Sequence, residues 1–463
     1  MTTKEMNLTT HPEVASNLAL IDIWIRARMA YSGVPGTSVA IVHDQELLYA
    51  NGFGYADTAR QKPATADTIY RIASHSKLFT AIAVLQLRDQ GKVRLDDPLT
   101  DYLPWFKPQD SYPHSPTITL RHLLTHTSGL PREAGSGYWR DFNFPTTAEV
   151  QQRMPDLGQK IPSETEWKYS NLALTLAGEV VAAAAGQTFA AYVQQNILDP
   201  LHMDSSSVVF PAAQADRLAT GYGRRMPDLT REALPFVDAK GMAAATGLSS
   251  TVNDMARFIS WQLRLRVSDG SELLKASTLR EMQRPQWVEA DWQGGWGLGF
   301  YVEHKKDRDL VGHSGGYPGY VTRTLISPKE KIGVSVLTNA LDGDPHLIAE
   351  RVITWLAPAM KTAVKGEPAV EPDPGWARFE GTYRDLWGDF HVLYLDGKLK
   401  LVDPTVPDPK EEAFTLEPAQ ENSFILRGPG GGAIGETVRF ELGVDGRAVR
   451  VKVGENWADR VTY

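Results

Sequence analysis

The sequence contains no cysteine. That excludes disulfides, thiolate metal sites and a cysteine nucleophile. No segment has about 18 consecutive apolar residues, so no transmembrane helix is expected. Positive charge is also scarce, with 48 Lys and Arg against 56 Asp and Glu and a formal net charge of −8. Nonspecific partners such as nucleic acid or an acidic membrane surface call for basic surface, and neither is expected. The N-terminal stretch MTTKEMNLTTHPEVASNLALIDIWIRARMA lacks the apolar centre of a signal peptide, because Asn17, Asp22 and Arg26 interrupt its apolar patches. The expected location is the cytoplasm, and the expected partner a small-molecule or peptide substrate. Nothing in the pattern specifies an oligomeric state.

What is present is ample core material. The chain has 463 residues, 42% of them hydrophobic, a length that suggests roughly two to four domains. Glu13 to Met29 reads as an amphipathic helix. Gly36 to Asp57 reads as a β-hairpin turning at His43-Asp44-Gln45. Val321 to Ile326 and Ile332 to Thr338 read as two strands, with a closing helix near Pro345 to Trp355. Strands at both ends with helices between predict one mixed α/β domain whose ends share a sheet. Prolines 368, 372 and 374 then mark a stiff linker. Beyond it, Asp396-Gly397 and Asp445-Gly446 each sit between alternating apolar runs, a strong hairpin signal. About eight short strands there predict a small antiparallel barrel. The expected boundaries are a first domain over 1–365, a linker over 366–376 and a barrel over 377–463. GPGGGAIG at 428–435 lacks the Lys-Ser/Thr and helix of a phosphate loop and reads as a hairpin loop.

The stretch RIASHSKLFTAIAVLQL brings a lysine to the mouth of an apolar helix. From Leu78 to Leu87 only Thr80 and Gln86 are polar, which marks a buried helix. Ser74 or Ser76 could cap it. A lysine in the first turn suits a cap poorly, because the helix N-terminus is already partly positive. Ser74 and Lys77 share one face, and burial near a helix N-terminus depresses an amine's pKa. A neutral amine beside a hydroxyl can take its proton and activate it as a nucleophile. Tyr169-Ser170-Asn171 stands directly before a second strong helix, and His313-Ser314-Gly315-Gly316 stands at the expected start of a strand. His122 and His126 are spaced i, i+4 but lack a following Glu and a third ligand, so no metal is expected. Tyr138 and Trp139 in GSGYWRDF are expected to line the substrate cleft.

The order Ser-x-x-Lys, Tyr-x-Asn, His-x-Gly resembles the three-element layout of serine β-lactamases and penicillin-binding proteins. Tyrosine in the second element resembles the class C branch. ITLRHLLTHTSGLP, GLSSTVNDMARF and GHSGGYPGY resemble signature stretches of that family, and the resemblance runs from about Val14 to Pro358. FEGTYRD and the hairpins after it resemble the lipocalin-like barrels appended to some D-amino-acid peptidases and peptide-cyclising thioesterases.

The resemblance implies a serine β-lactamase-like α/β (α+β) domain with a central antiparallel sheet and a helical region, plus an all-β barrel. It implies an acyl-enzyme at Ser74. Lys77 and Tyr169 would share the general-base work with lowered pKa values, and Asn171 would bind a substrate amide and Lys77. The backbone of Ser74 and the Gly315-Gly316 pair would serve the oxyanion. No cofactor and no metal is implied. His313 departs from the lysine that β-lactamases usually carry, and resembles the family's esterases and D-aminopeptidases. The reading is a serine hydrolase of ester or peptide bonds. Its alternatives are a β-lactamase, a peptide-cyclising acyltransferase, or a protein that is acylated without turnover and acts as a sensor or structural element.

Overall fold

The computed structural model describes residues 8–135, 137–305, 307–366, 370–430 and 432–462. Two compact units divide the chain: Val34–Glu350, and the chain up to Gly33 together with Arg351 onward. The division falls at 33/34 and 350/351 rather than at the proline-rich segment. Residues 367–369 of the expected linker, and one glycine of the expected 428–435 hairpin loop, lie outside the described residues.

The first unit is built on a nine-stranded antiparallel sheet. In chain order its strands are β1 (Gly36–His43), β2 (Glu46–Asp57), β3 (Lys62–Pro63), β4 (Trp287–Val288), β5 (Gly294–Trp296), β6 (Tyr301–Lys305), β7 (Arg308–Tyr317), β8 (Tyr320–Ser327) and β9 (Ile332–Thr338). They lie in the order β4-β5-β6-β7-β8-β9-β1-β2-β3. The expected hairpin is β1–β2, turning where Asp44 takes a positive φ of 54°. β1 also pairs with β9, Val39 opposite Val336, so the two ends of this unit do share the sheet. Both are central strands, and every residue of each is buried. That is why GTSVAIVH and IGVSVLT read as nearly unbroken apolar runs.

The helical region holds α2 (Ser76–Asp89), α3 (Leu120–Thr125), α4 (Asn171–Ala185) and α5 (Val252–Arg266), numbered after α1 (Pro12–Ser32) of the other unit. α5 packs on β1 and β9, and α2 packs on α4 and α5. Every residue of α2 from Ser76 to Leu87 is buried. Phe79 stacks on Phe258 of α5 with ring centroids 4.6 Å apart. Each fully buried side chain of this size contributes about 1.5–3 kcal/mol. Two polar groups in α2 are satisfied by distant backbone: Thr80 Oγ1 donates to Ala244 O at 2.6 Å, and Gln86 Nε2 donates to Asn196 O at 3.0 Å.

His313 lies within β7, which begins at Arg308, and not at a strand start as its sequence context suggested. Arg308 to Gly312 pairs with β6, and the pairing stops at Tyr301 opposite Gly312. From His313 to Tyr317 no strand among the described residues covers that side. The β7–β8 hairpin closes at Tyr317 opposite Tyr320, around Gly319 with φ 87°. In a two-residue hairpin the closing pair exchanges both backbone bonds, and alternate residues follow suit. His313, Gly315 and Tyr317 therefore bond to β8. The backbone groups of Ser314 and Gly316 point to the open side.

The second unit contains α1, the C-terminal part of α6 (Pro345–Val364), and an eight-stranded closed barrel. The barrel interior is filled by Phe379, Tyr383, Phe424 and Phe440 with aliphatic neighbours, so it is a packed core. Asp396-Gly397 turns the second barrel hairpin with φ values of 50° and 78°. Trp24 of α1 is fully buried, meets Trp355 of α6 edge-on at 5.0 Å, and donates from Nε1 to Val406 O at 3.2 Å. Trp355 Nε1 donates to Asp408 Oδ1 at 3.2 Å. The N-terminal helix is therefore part of the barrel unit's core. Trp24→Ala is expected to cost about 3–5 kcal/mol, seen as a lower urea midpoint. A midpoint shift corresponding to under 1 kcal/mol would place Trp24 outside that core.

Candidate active site

Ser74 sits in a tight turn, Ala73–His75, that leads into α2. Ala73 has φ 52°, a left-handed conformation that an L-residue adopts at a cost of about 1–2 kcal/mol. Ser76 holds the turn: its hydroxyl donates to Ala73 O at 2.7 Å and accepts from Leu248 N at 3.0 Å. Neither serine caps α2, whose N-cap is His75 with no side-chain cap bond. Ser76 is fully buried with its hydrogen bonds used internally, whereas Ser74 opens on a cleft of about 550 Å³.

Lys77 lies behind Ser74, with no exposed surface. Its Nζ is 3.0 Å from Ser74 Oγ, 2.8 Å from Asn171 Oδ1 and 2.8 Å from Ala245 O. Burial holds its pKa well below the ordinary lysine value, against the opposing pull of Glu133, with Arg132 adding to the depression. Tyr169 OH donates to Ser74 Oγ at 2.9 Å. Tyr169 differs from the expectation of a lowered pKa: burial raises it, outweighing the Ser74 hydrogen bond and Arg132. An anion in this pocket would lose more hydration than its neighbours return. The two groups expected to share one role are thus split: burial favours the neutral amine of Lys77 and the protonated hydroxyl of Tyr169.

The remaining candidates separate as well. Asn171 opens α4 and reaches Lys77. Gly316 lines the cleft, its N–H on the open side of β7. Gly315 faces the other way, and a Cβ there would meet Ile72 O at 2.5 Å and Thr322 Oγ1 at 2.4 Å. It lets the backbone at Ile72–Ala73 approach β7 and does not itself line the cleft. Trp139 lines the cleft. Tyr138 does not: it is 2% exposed and donates from its hydroxyl to Glu133 Oε2.

His313 lines the cleft and is 3% exposed. Its Nδ1–H donates to Ser314 O at 2.5 Å, and its Nε2 has no hydrogen-bond partner among the described residues. Burial lowers its pKa well below the ordinary range, with Lys77 and His75 adding to that. His122 and His126 do not converge on one ligand point. His122 Nε2–H donates to Glu164 at 2.9 Å, while His126 has φ 59° at the C-cap of α3 and accepts from Ser170 N at 3.2 Å. No group of three His, Cys, Asp or Glu that could hold a metal occurs among the described residues.

Sequence reasoning missed Glu133. Its Oε1 accepts from Asn171 Nδ2 at 2.8 Å. Asn171 N also donates to Arg132 O at 2.7 Å, so the loop after Pro131 is tied to the start of α4. Residues 132–160 are rich in Gly, Pro and aromatics, a composition that does not single out a carboxylate. The only local signal was a charged Arg-Glu pair placed just after the TSGLP stretch.

The model of the Beta-lactamase family matches residues 21–357. The chain belongs to that family. Among Beta-lactamase family relatives it is similar to Penicillin-binding protein 4* of Bacillus subtilis, with 26% identity over 434 residues, 86% of this chain and 88% of that protein. It is 29% identical to Beta-lactamase-like protein 2 of Dictyostelium discoideum, over 68% of this chain and 58% of that one. It is 27% identical to Protein flp of Staphylococcus aureus, over 69% of this chain and 62% of that one. The chain thus spans about six tenths of the last two. The structure of an octameric penicillin-binding protein homologue from Pyrococcus abyssi shares the fold at a TM-score of 0.66 and 24% identity, covering 95% of this chain and 99% of that one. The mixed α/β domain and the closed barrel expected from the sequence are both observed, and the shared fold with that structure spans both.

The buried histidines make a stability prediction. His75 is fully buried, with Nδ1 3.0 Å from Ile72 O and Nε2 2.9 Å from Thr324 Oγ1, and burial lowers its pKa to about 3 from 6.5. Between those values the unfolded chain binds a proton that the folded one refuses. Stability therefore falls as pH falls through that window, by up to about 1.4 kcal/mol per pH unit per such histidine. His75→Gln is expected to flatten the slope of unfolding free energy between pH 6 and 4, measured by urea titration at a series of pH values. An unchanged slope would mean that His75 is protonated in the folded state.

Proposed function

We propose that this protein is a serine hydrolase that forms an acyl-enzyme at Ser74 on esters or amides lacking a carboxylate beside the reacting carbonyl. The observation that carries the reading is the hydrogen bonding of Lys77. Asn171 Oδ1 and Ala245 O can only accept, so each takes one N–H of Lys77. When the amine is neutral, its lone pair is left facing Ser74 Oγ. The chain then runs from the Tyr169 hydroxyl to the Ser74 hydroxyl to the Lys77 nitrogen.

In this mechanism the Ser74 proton passes to Lys77 as Oγ bonds to the substrate carbonyl carbon. The negative oxygen is met by the backbone N–H groups of Ser74 and Gly316. Collapse expels the alcohol or amine, which leaves with a proton from the Lys77–Tyr169 pair. Water or an amine then attacks the ester carbon as Lys77 takes its proton, and collapse of the second tetrahedral species returns that proton from Lys77 to the departing Ser74 Oγ.

The charges of the cleft support the substrate class. Arg132 is 3.5 Å from Glu133, and Arg323 is paired with Glu303. His313 is neutral and presents a lone pair rather than a donor. A substrate carboxylate at that point finds no free cation.

Intact-mass spectrometry with p-nitrophenyl esters, D- and L-aminoacyl amides and nitrocefin tests the reading. The expected result is a transient acyl adduct with esters or amides that is lost in Ser74→Ala and kept in Ser76→Ala. Full turnover by Ser74→Ala would rule the assignment out, and a permanent adduct without turnover would select a sensor. A second test compares kcat/KM for nitrocefin and p-nitrophenyl butyrate. His313→Lys is expected to shift the ratio at least tenfold toward nitrocefin, on the order of one charged hydrogen bond, with the gain shrinking as salt rises. Wild-type nitrocefin turnover near the diffusional ceiling would overturn the carboxylate argument.

A further inference from the structure

We infer that Glu133 is a positioning residue for nucleophile activation: it locks the Asn171 amide so that the Lys77 lone pair faces Ser74. The inference rests on the reading of Ser74 and Lys77 as nucleophile and base.

An asparagine amide has an accepting and a donating end of nearly equal size. Either end could face Lys77 on shape alone. If Nδ2 faced the lysine, it would compete for the lone pair, and Lys77 would lose one of its two obligate acceptors. The lone pair would then have no reason to turn toward Ser74. Glu133 removes that alternative. A carboxylate accepts only, and its Oε1 is 2.8 Å from Asn171 Nδ2, so Oδ1 must lie toward Lys77, where it is found at 2.8 Å.

Glu133 is itself held. Tyr138 OH donates to its second oxygen and accepts from Ala134 N at 3.2 Å. Tyr138 is 2% exposed and packs on Phe144 with ring centroids 4.7 Å apart. The path from core to nucleophile is therefore Tyr138, Glu133, Asn171, Lys77, Ser74; the links from Tyr138 to Lys77 each have one chemically allowed direction, and they leave the lone pair of the neutral amine to the last.

Glu133 has a second effect, through charge. The charged and titratable groups around Lys77 are Glu133, Arg132, His75, His126, His313 and Tyr169. Burial keeps the three histidines neutral and Tyr169 protonated. Glu133 and Arg132 are left as the opposing fixed charges. Removing the negative one makes Lys77 lose its proton at lower pH.

The test is the rate at which a fluorophosphonate labels Ser74, followed from pH 5 to 10. This reads serine activation without assuming a substrate. Glu133→Gln keeps an accepting oxygen but no charge, and is expected to move the acid limb of the rate profile to lower pH by at least half a unit. Glu133→Ala frees the amide, and is expected to slow labelling about 10- to 100-fold. On the plateau above the acid limb, where the charge effect on Lys77 no longer matters, Asn171→Ala and the double variant with Glu133→Ala are expected to label equally slowly, because Glu133 there acts through Asn171. Thermal melts of each variant guard against unfolding, and rescue by Gln separates positioning from packing. An unmoved acid limb in Glu133→Gln, additive losses in the double variant, or a Glu133→Ala rate within twofold of wild type would each overturn the inference. A wild-type protein that labels nowhere, or labels at Ser76, would instead remove the nucleophile reading beneath it.

Discussion

Everything at this site depends on one buried nitrogen. Lys77 is surrounded by two oxygens that can only accept and one hydroxyl that can do either. Taking an ammonium out of water is costly, and the protein side gives back too little to keep it charged. The amine therefore tends to the neutral form. Its two hydrogens are already committed, which leaves the lone pair only one direction. A basic site made this way needs no metal ligand and no third catalytic acid to orient it. Its orientation comes from the donor and acceptor rules of its neighbours.

The sheet supplies the complementary half. β7 loses its partner β6 after Gly312, and the hairpin at Pro318-Gly319 sets which residues face the gap. A shift of one residue would turn Gly316 N–H into β8 and remove it from the cleft. Gly315 allows the turn at Ile72–Ala73 to lie against the strand, where any side chain would collide with it. The left-handed Ala73 then lifts Ser74 toward the open edge. Strain in one residue and the lack of a side chain in another thus accompany the placing of the Ser74 hydroxyl in a cleft that Gly316 of the open strand edge also lines.

The parts of this arrangement that sequence could reveal are local. Ser74 and Lys77 are one helical turn apart, and Tyr169 and Asn171 flank Ser170, the N-cap of a helix that its own Ala-rich composition announces. Asp-Gly turns between alternating runs revealed the barrel strands for the same reason. What stayed hidden depends on distant packing. The start of β7 at Arg308 was invisible because RDLVG alternates poorly, and the strand is defined by its pairing with β6. The opposite pKa shifts of Lys77 and Tyr169 come from burial that no four-residue motif encodes. Glu133 lies 38 residues from Asn171 in the chain, within a loop that shows no period. The compact units also escaped, because Trp24 and Val406 are joined only in space. Proline density carried no information about which helices pack with the barrel.

The same accounting bears on what kind of substrate such a cleft can take. Each cation that lines it has a carboxylate beside it: Arg132 has Glu133 and Arg323 has Glu303. His313 stands where a lysine would place a permanent charge, and burial keeps it neutral. In the proposed mechanism the charge that needs stabilising exists only once the nucleophile has attacked. Backbone N–H dipoles held by a sheet edge and a helical turn are suited to that, since they are fixed before the reaction and need not reorganise. A free cation at the same place would also bind an anionic ground state, and uniform binding of that kind does not lower the barrier. In that mechanism, neutrality at His313 does more than disfavour one substrate class. It leaves the electrostatic preference of the site to groups that act on the oxyanion.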